Sequence, residues 1–205
     1  MKLTATFSRS ARVLLCSLGT LAMAVTASAA IMGPQAHADA AATLVHSMLG
    51  TWDVKEWMWQ APGGTAVALP SAVAQRQLVG NDFLQEVMSA TPGSRGAFTR
   101  IAYFGYNAVN QSYEYFSLDT RAPQMMNERS FGASGGATGG GSIDLLGSTF
   151  VAPQWGKFTN AAFRYRLVVG PVQHDRQEVV LYLTPLSGAG QPEFEAFKYL
   201  YTRRH

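Results

Sequence analysis

The sequence has one cysteine in 205 residues, Cys16, and this scarcity excludes a fold stapled by several disulfides. Cys16 lies in an apolar run, residues 13–25, and Leu15 precedes it where a lipid-attachment cysteine needs a small residue. We therefore expect no lipidation at Cys16. If the run is removed during export, the remaining chain has neither disulfide nor thiolate chemistry.

The apolar run has the flanks of an export signal. Small residues follow it at positions 27–29, and basic residues precede it: Lys2, Arg9 and Arg12. This order predicts a signal peptide over residues 1–29, with an alternative cut after residue 38. The run is too short to anchor the chain stably in a bilayer. We expect a periplasmic or secreted protein with no stable membrane anchor after cleavage.

An excess of positive charge is also lacking once this segment is set aside. The chain has 16 Lys and Arg and 13 Asp and Glu, a formal net charge of +3. Loss of the three N-terminal basic residues leaves 13 of each sign and a net charge of zero. No basic stripe then remains, so we expect neither a nucleic-acid partner nor binding to an anionic membrane surface.

Histidines and nucleophile motifs are scarce. None of the four histidines, His37, His46, His174 and His205, has a second one at the i+2 or i+4 spacing of metal ligands. A Gly-x-Ser-x-Gly elbow is absent from the sequence. We predict no metal site and no cofactor, haem included, since His46 and His174 fall outside the predicted inward-facing strand positions.

The glycine-rich segment at residues 132–142 lacks the Gly-Lys-Ser/Thr ending of a phosphate-binding loop. We interpret it as the tip of a hairpin, with the hypothesis that it acts as a flap over a barrel mouth.

The rest of the chain alternates between short strands and turns. A linker at 30–39 leads into a brief helix with Asp39 as its N-cap, and Gly50 ends that helix. From residue 51 onward, period-2 patterns predict about ten strands: 51–60, 71–79, 83–89, 97–106, 112–119, 125–131, 142–150, 161–169, 176–184 and 194–203. This spacing predicts one all-β domain over residues 40–204, an antiparallel up-and-down barrel of about 8–10 strands. A β-sandwich is the alternative.

The two ends of the domain carry matching motifs. Gly50-x-Trp52 at the head of the first strand resembles the G-x-W signature of lipocalin-like proteins. In that family a C-terminal arginine packs over the tryptophan where the first and last strands meet, and Arg203 stands at the equivalent place. The resemblance implies a barrel closed by a cation–π contact and by hydrogen bonds to nearby carbonyls.

A closer resemblance covers residues 44–204. The segments "LGTWDVKEWMWQAPGG", "FGYNAVNQSYEYFSLD" and "EFEAFKYLYTRR" are similar to a bacterial family known as domain of unknown function 1579. Its motifs fall on Gly50 and Trp52, on Gly105-Tyr106-Asn107 and Asp119, and on Tyr201-Thr202-Arg203. The chain departs from the family pattern at residues 150–158. The family implies the fold and supplies no catalytic residues.

Strand parity gives candidate interior residues. Glu56 shares the face of Trp52, and Arg76 shares the face of Ala72 and Ala74, so we predict an interior Glu56–Arg76 pair. This pair is either a structural ion pair or the polar anchor of a ligand. The full candidate ligand-binding set is Glu56, Met58, Arg76, Tyr103, Tyr115 and Asp119.

Trp57 and Trp59 share the face opposite Trp52. Two indoles on an outer wall need a cover, which we expect to be the glycine-rich tip, the 151–155 loop or a partner subunit. An oligomer through this face is therefore one prediction.

Three classes of function fit this sequence. The first is an exported barrel that binds a small apolar molecule, without a cofactor. The second is an isomerase, cyclase or hydrolase that uses Glu56, Asp119, Arg76 or a tyrosine. The third is an envelope interaction protein with a filled barrel. Fold alone does not decide among them.

Overall fold

The computed structural model describes residues 34–93, 96–129, 141–186 and 192–205. The predicted signal peptide and most of the glycine-rich tip lie outside these residues. The described part contains one helix and eleven strands: α1 (Pro34–Ser47), β1 (Gly50–Met58), β2 (Val67–Ala68), β3 (Ala72–Val79), β4 (Phe83–Ala90), β5 (Thr99–Asn107), β6 (Ser112–Asp119), β7 (Ala122–Arg129), β8 (Ile143–Trp155), β9 (Phe158–Val169), β10 (Arg176–Pro185) and β11 (Phe194–Arg203).

The strands form a closed antiparallel barrel. Each strand from β3 to β11 pairs with its neighbour in sequence, β3 pairs with β1, and β11 returns to pair with β1. Ten strands therefore close the barrel, and β2 is an extra short strand that pairs with the end of β1. The prediction of an all-β, up-and-down barrel with a short N-terminal helix is confirmed.

Proline positions explain two details of this sheet. Pro70 lies between β2 and β3 and has no N–H to donate to the sheet. The register of pairing with β1 shifts by one residue from β2 to β3. The sequence predicted a loop at residues 151–155, which include Pro153, but β8 continues to Trp155. The β8–β9 ladder pairs Ala152 with Ala161 and Gln154 with Thr159, on either side of Pro153.

The helix starts earlier than the sequence indicated. α1 begins at Pro34, five positions before the predicted N-cap Asp39, so residues 34–39 of the predicted linker are helical. Proline suits the first helical position, where its missing N–H has no helical partner to lose, and alanines continue the turn. The prediction that 30–39 is a linker is wrong for this part.

Side chains alternate across the barrel wall. In β1, Trp52, Val54 and Glu56 are buried, while Asp53 and Lys55 are exposed. One face of β1 thus points into the interior, as expected of a strand in a closed barrel.

One end of the barrel is closed by α1 and by Arg203. Trp52 and Arg203 are paired across β1 and β11, and the guanidinium lies 4.1 Å from the centre of the indole. Arg203 also donates hydrogen bonds to the carbonyls of Ser47 and Leu49, and the indole N–H of Trp52 donates to the carbonyl of Met48 at 2.9 Å. The end of α1 is therefore tied to both strands that close the barrel.

Gly50 is required beside this contact. Its φ of 114° lies in a region that side chains rarely adopt, and a Cβ there would lie 3.1 Å from the guanidinium of Arg203.

We predict that Arg203→Ala lowers the free energy of unfolding by about 2–4 kcal/mol, because it removes the contact with Trp52 and leaves two carbonyls without their donor. Urea denaturation measures this change. Arg204→Ala is the matched control, since Arg204 is the next residue and forms an exposed ion pair with Asp53. Equal losses in the two variants would show that Arg203 is not a closure residue.

Candidate functional site

A cavity of about 400 Å³ occupies the half of the barrel away from α1. It opens between exposed residues of the opposite rim, Gln60, Arg121 and Gln154. Much of its wall is apolar and is supplied by several strands and by the segment after β2: Met58, Leu69, Met126, Leu167, Leu181 and Phe197. The volume lies near the lower end of the range of roughly 300–1,000 Å³ found for small-molecule sites.

The floor of the cavity is polar. Arg100, Tyr115, Ser117 and Tyr199 line it, and Arg100 is only 5% exposed. One guanidinium nitrogen of Arg100, Nη2, donates to the hydroxyl of Tyr115, and the guanidinium lies 4.8 Å from the ring centre of Tyr199. The other nitrogen, Nη1, is buried without a hydrogen-bond partner and lies 3.6 Å from Glu86 Oε1.

A layer of buried polar side chains separates this floor from α1. Arg76 Nε donates to Glu86 at 2.7 Å, and Arg76 Nη1 donates to Gln177. The guanidinium of Arg76 also lies 3.9 Å from the ring centre of Tyr201. Burial opposes ionisation of Glu86, but the guanidinium groups of Arg76 and Arg100 hold its pKa below the usual value. Glu86 is therefore an anion held between two cations.

A second charged cluster lies at the mouth. Arg121, in the turn between β6 and β7, donates to Glu56 at 2.9 Å and to Asp119 at 2.7 Å. Its guanidinium also lies 3.6 Å from the ring centre of Phe98. Burial raises the pKa of Glu56, and Arg121 opposes that shift. The cluster joins β1 to the β6–β7 turn, so one ion pair spans part of the rim.

Glu128 is the least satisfied charged group of the described interior. It is 1% exposed, and neither of its carboxyl oxygens has a hydrogen-bond partner. It is paired with Tyr115 across β6 and β7 and with Gly147 across β7 and β8. Burial raises its pKa to about 8, although nearby Arg100 favours the ionised form. At neutral pH the carboxyl is therefore mostly protonated.

The structure brings part of the predicted candidate set together. Met58, Tyr115 and Asp119 line the cavity. Glu56 is not part of the lining but forms an ion pair with Arg121, which is. Arg76 lies in the polar layer below the floor. The predicted Glu56–Arg76 pair is wrong, because Glu56 is bound by Arg121 at the mouth and Arg76 is bound by Glu86 nearer to α1.

Tyr103 lies on the outer wall and not at the cavity. It shares its parity with half-buried Ile101, whereas Arg100, Ala102 and Phe104 point inward. Its hydroxyl accepts a hydrogen bond from Gln85 at 2.6 Å, and its ring packs near Phe116. The inclusion of Tyr103 among the interior candidates is therefore corrected.

Three important residues were missed by sequence reasoning: Arg100, Arg121 and Glu128. Arg100 and Glu128 do carry a signal, because Arg100 shares the parity of buried Ala102 and Glu128 shares the parity of half-buried Met126. Arg121 carries no such signal, since it lies in a turn and enters the site only through its long side chain.

Trp59 lies beside the 151–155 segment, one of its three predicted covers. Trp155, at the end of the 151–155 segment, donates its indole N–H to the carbonyl of Trp59 at 3.0 Å. Trp59 follows the last residue of β1 and packs against the core. Trp57 remains half-buried on the outer wall. An oligomer through this face stays a prediction.

The flap hypothesis for residues 132–142 falls mostly on residues outside the described part. The strands that flank this segment bear on it nonetheless. β7 ends at Arg129 and β8 begins at Ile143, next to Val169 at the α1 end of the barrel. The flanks therefore lie at the end opposite the cavity mouth, and the flap itself stays a hypothesis.

Two features that bear on cofactors and membranes are absent from the described residues. Within residues 34–93, 96–129, 141–186 and 192–205, no group of three or more His, Cys, Asp or Glu side chains is placed to hold a metal ion. In the same ranges, no helix combines the length and apolarity that crossing a membrane requires.

Fold and site together define a class: a closed ten-stranded barrel with one sealed end, one open end and an internal cavity. Residues 38–185 match the family described as "Protein of unknown function (DUF1579)". The match covers more than half of the sequence, and the chain belongs to this family. The resemblance inferred from the Gly50-x-Trp52 and Tyr201-Thr202-Arg203 motifs is thereby confirmed.

A solved structure shares the fold. The crystal structure of Rv2717c from M. tuberculosis superposes with a TM-score of 0.50 and is 15% identical in sequence, over 80% of this chain and 98% of that chain. At this identity the likeness concerns the fold alone. Among curated proteins, none matches this chain significantly.

We predict that Glu128→Gln flattens the pH dependence of stability. Because the pKa of Glu128 is raised when the chain folds, the folded state retains a proton that the unfolded state releases between about pH 4.5 and 8. Stability therefore falls as the pH rises through this window, by up to about 1.4 kcal/mol per pH unit. A glutamine mimics the protonated carboxyl and removes this contribution.

Urea denaturation at half-unit steps from pH 5 to 9 measures the slope for wild type and variant. Arg100, Tyr115 and Tyr165 are the charged or titratable groups near Glu128, and all three stay in both proteins. Glu178→Gln, which removes an exposed glutamate paired with Lys198, is the control and should keep the wild-type slope. The same slope in Glu128→Gln as in wild type would contradict a neutral buried carboxyl.

Proposed function

We propose that this protein binds a small, mostly apolar molecule inside its barrel, and that it does so in the periplasm or outside the cell after cleavage of the predicted signal peptide. The observation that carries the proposal is the cavity of about 400 Å³ with apolar walls and one open end. A folded barrel that served only as an interaction surface would fill this volume with side chains, since voids in cores cost stability.

The distribution of polar groups supports binding. Apolar side chains line the wall, while the charged and hydroxyl groups are gathered at the floor and at the mouth. This is the pattern of small-molecule sites, in which a few polar groups orient a ligand that is otherwise held by apolar contact. The mouth opposite α1 gives such a molecule a path that leaves the Trp52–Arg203 closure intact.

An enzyme on the same barrel is the second candidate. The observation that favours it is Glu128, a buried carboxyl with a pKa raised to about 8 beside two residues of the cavity wall, Arg100 and Tyr115, since strongly shifted pKa values cluster at active sites. A compound that co-purifies unchanged favours binding, whereas its chemical conversion on incubation with fresh protein favours catalysis.

The direct test is mass spectrometry of an organic extract of the purified full chain. We expect an extractable apolar compound in a fixed ratio to protein. An extract free of such compounds, together with failure to bind a neutral apolar fluorophore such as N-phenyl-1-naphthylamine, would overturn the proposal.

A pair of neighbouring substitutions localises the site. Ser117 is buried and lines the cavity, while Leu118 is 39% exposed on the outer wall of the same strand. We predict that Ser117→Trp, which fills part of the cavity, lowers fluorophore affinity at least tenfold, and that Leu118→Trp leaves it within about twofold, by the volume argument for packed sites.

Fluorescence titration measures both variants, with urea denaturation to show that each is folded. Equal affinity in the two tryptophan variants would place the fluorophore outside the cavity.

A further inference from the structure

Two hydroxyl groups at the cavity floor are available to a ligand. Ser117 and Tyr199 line the cavity and are only 3% and 7% exposed. Within the part of the chain that the structure describes, neither hydroxyl has a hydrogen-bond partner. Unlike Arg100 Nη1, neither hydroxyl oxygen is fully enclosed by protein, so a molecule in the cavity can reach both. Unpaired polar groups that face a cavity indicate where the polar atoms of a ligand belong.

The hydroxyl of Tyr199 offers the ligand a neutral donor. Tyr199 is paired with Glu56 across β1 and β11, and the guanidinium of Arg100 lies 4.8 Å from the centre of its ring. Burial raises the pKa of Tyr199, so the hydroxyl keeps its proton. Tyr115 differs, because its hydroxyl oxygen already accepts a hydrogen bond from Arg100. The group that complements a protonated, unpaired hydroxyl is an oxygen acceptor.

The charges around the cavity balance, so that acceptor is not an anion. Below the floor, the guanidinium groups of Arg76 and Arg100 face one carboxylate, Glu86, which leaves a formal charge of +1. At the mouth, Arg121 faces two carboxylates, which leaves a formal charge of −1. Glu128 is mostly protonated at neutral pH and adds no full charge. The sum is zero, and a charged head group would lose its hydration without gaining a countercharge.

We propose that the ligand is an uncharged apolar molecule with an oxygen acceptor, an alcohol or a carbonyl, that takes a hydrogen bond from the hydroxyl of Tyr199. This inference rests on the proposed function, because it assigns the class of molecule that the cavity holds. The apolar part of the molecule lies along Met126, Leu167 and Leu181 of the cavity wall. Fatty acids and alkylamines of the same length bind more weakly, since their charge is buried without compensation.

The experiment is displacement of N-phenyl-1-naphthylamine from the delipidated full chain by four compounds of equal chain length: 1-decanol, 2-decanone, decanoic acid and decylamine. At neutral pH the acid and the amine are charged, whereas the alcohol and the ketone are not. We expect the two uncharged compounds to displace the fluorophore at concentrations at least about tenfold lower than the two charged ones, by the cost of burying an uncompensated charge. This comparison needs no variant.

Two tyrosine variants then locate the oxygen. Tyr199→Phe removes the hydroxyl and keeps the ring, so we expect it to weaken binding of 1-decanol and 2-decanone about three- to tenfold, the worth of one neutral hydrogen bond, with fluorophore affinity within about twofold. Tyr182→Phe is the matched control and should leave every affinity unchanged, because Tyr182 packs against Arg166 on the outer wall. Circular dichroism and urea denaturation show which variants are folded. If Tyr199→Phe does not fold, the comparison of the four compounds on the wild-type chain decides.

The outcomes separate this inference from the proposed function. Equal affinity for the four compounds, or a preference for the acid or the amine, would overturn the assignment of an uncharged ligand and leave apolar binding intact. Wild-type affinity for 1-decanol and 2-decanone in a folded Tyr199→Phe variant would also overturn the inference. No binding of the fluorophore or of any of the four compounds would overturn both.

Discussion

The pairing of the first strand with the last is the interaction on which the rest of this molecule depends. β1 and β11 are 151 residues apart in sequence at Trp52 and Arg203, and their ladder turns an open sheet into a barrel. Closure removes the two edges that an open sheet would expose. Hydrogen bonds from Arg203 to the carbonyls of Ser47 and Leu49 then seal one end, and the cavity of about 400 Å³ lies toward the other.

Inside the barrel, the packing of side chains changes along the barrel axis. Next to α1 the space is filled by Trp52 and by the Arg76–Glu86 layer, in which each charge has a partner. Above that layer the side chains no longer meet across the barrel and leave the cavity of about 400 Å³. The cavity is thus the part of the interior that side chains do not fill, unlike the close-packed core next to α1.

Strand parity made the barrel, its closure and its inward faces predictable from sequence. Gly50-x-Trp52 and Arg203 could be matched because the motif and the terminal strand constrain each other over the whole domain. Parity predicts which residues face inward, but it does not predict their positions along the barrel axis. Glu56 and Arg76 were predicted to pair for that reason, and they are held instead by Arg121 and Glu86 at different levels of the barrel. Strand tilt sets the position of each residue along the barrel axis, and this tilt follows from the register of all ten strands together.

β2 is a short and exposed part of the barrel rim. Val67 and Ala68 are both exposed and are paired with the end of β1, and Pro70 separates them from β3, which continues down the wall. The rim at this point is a two-residue ladder beside Leu69 of the cavity wall, so the free energy needed to part it is a small fraction of that needed to unfold the barrel. The rim is therefore less stable at β2 than the wall formed by the ten strands of the barrel.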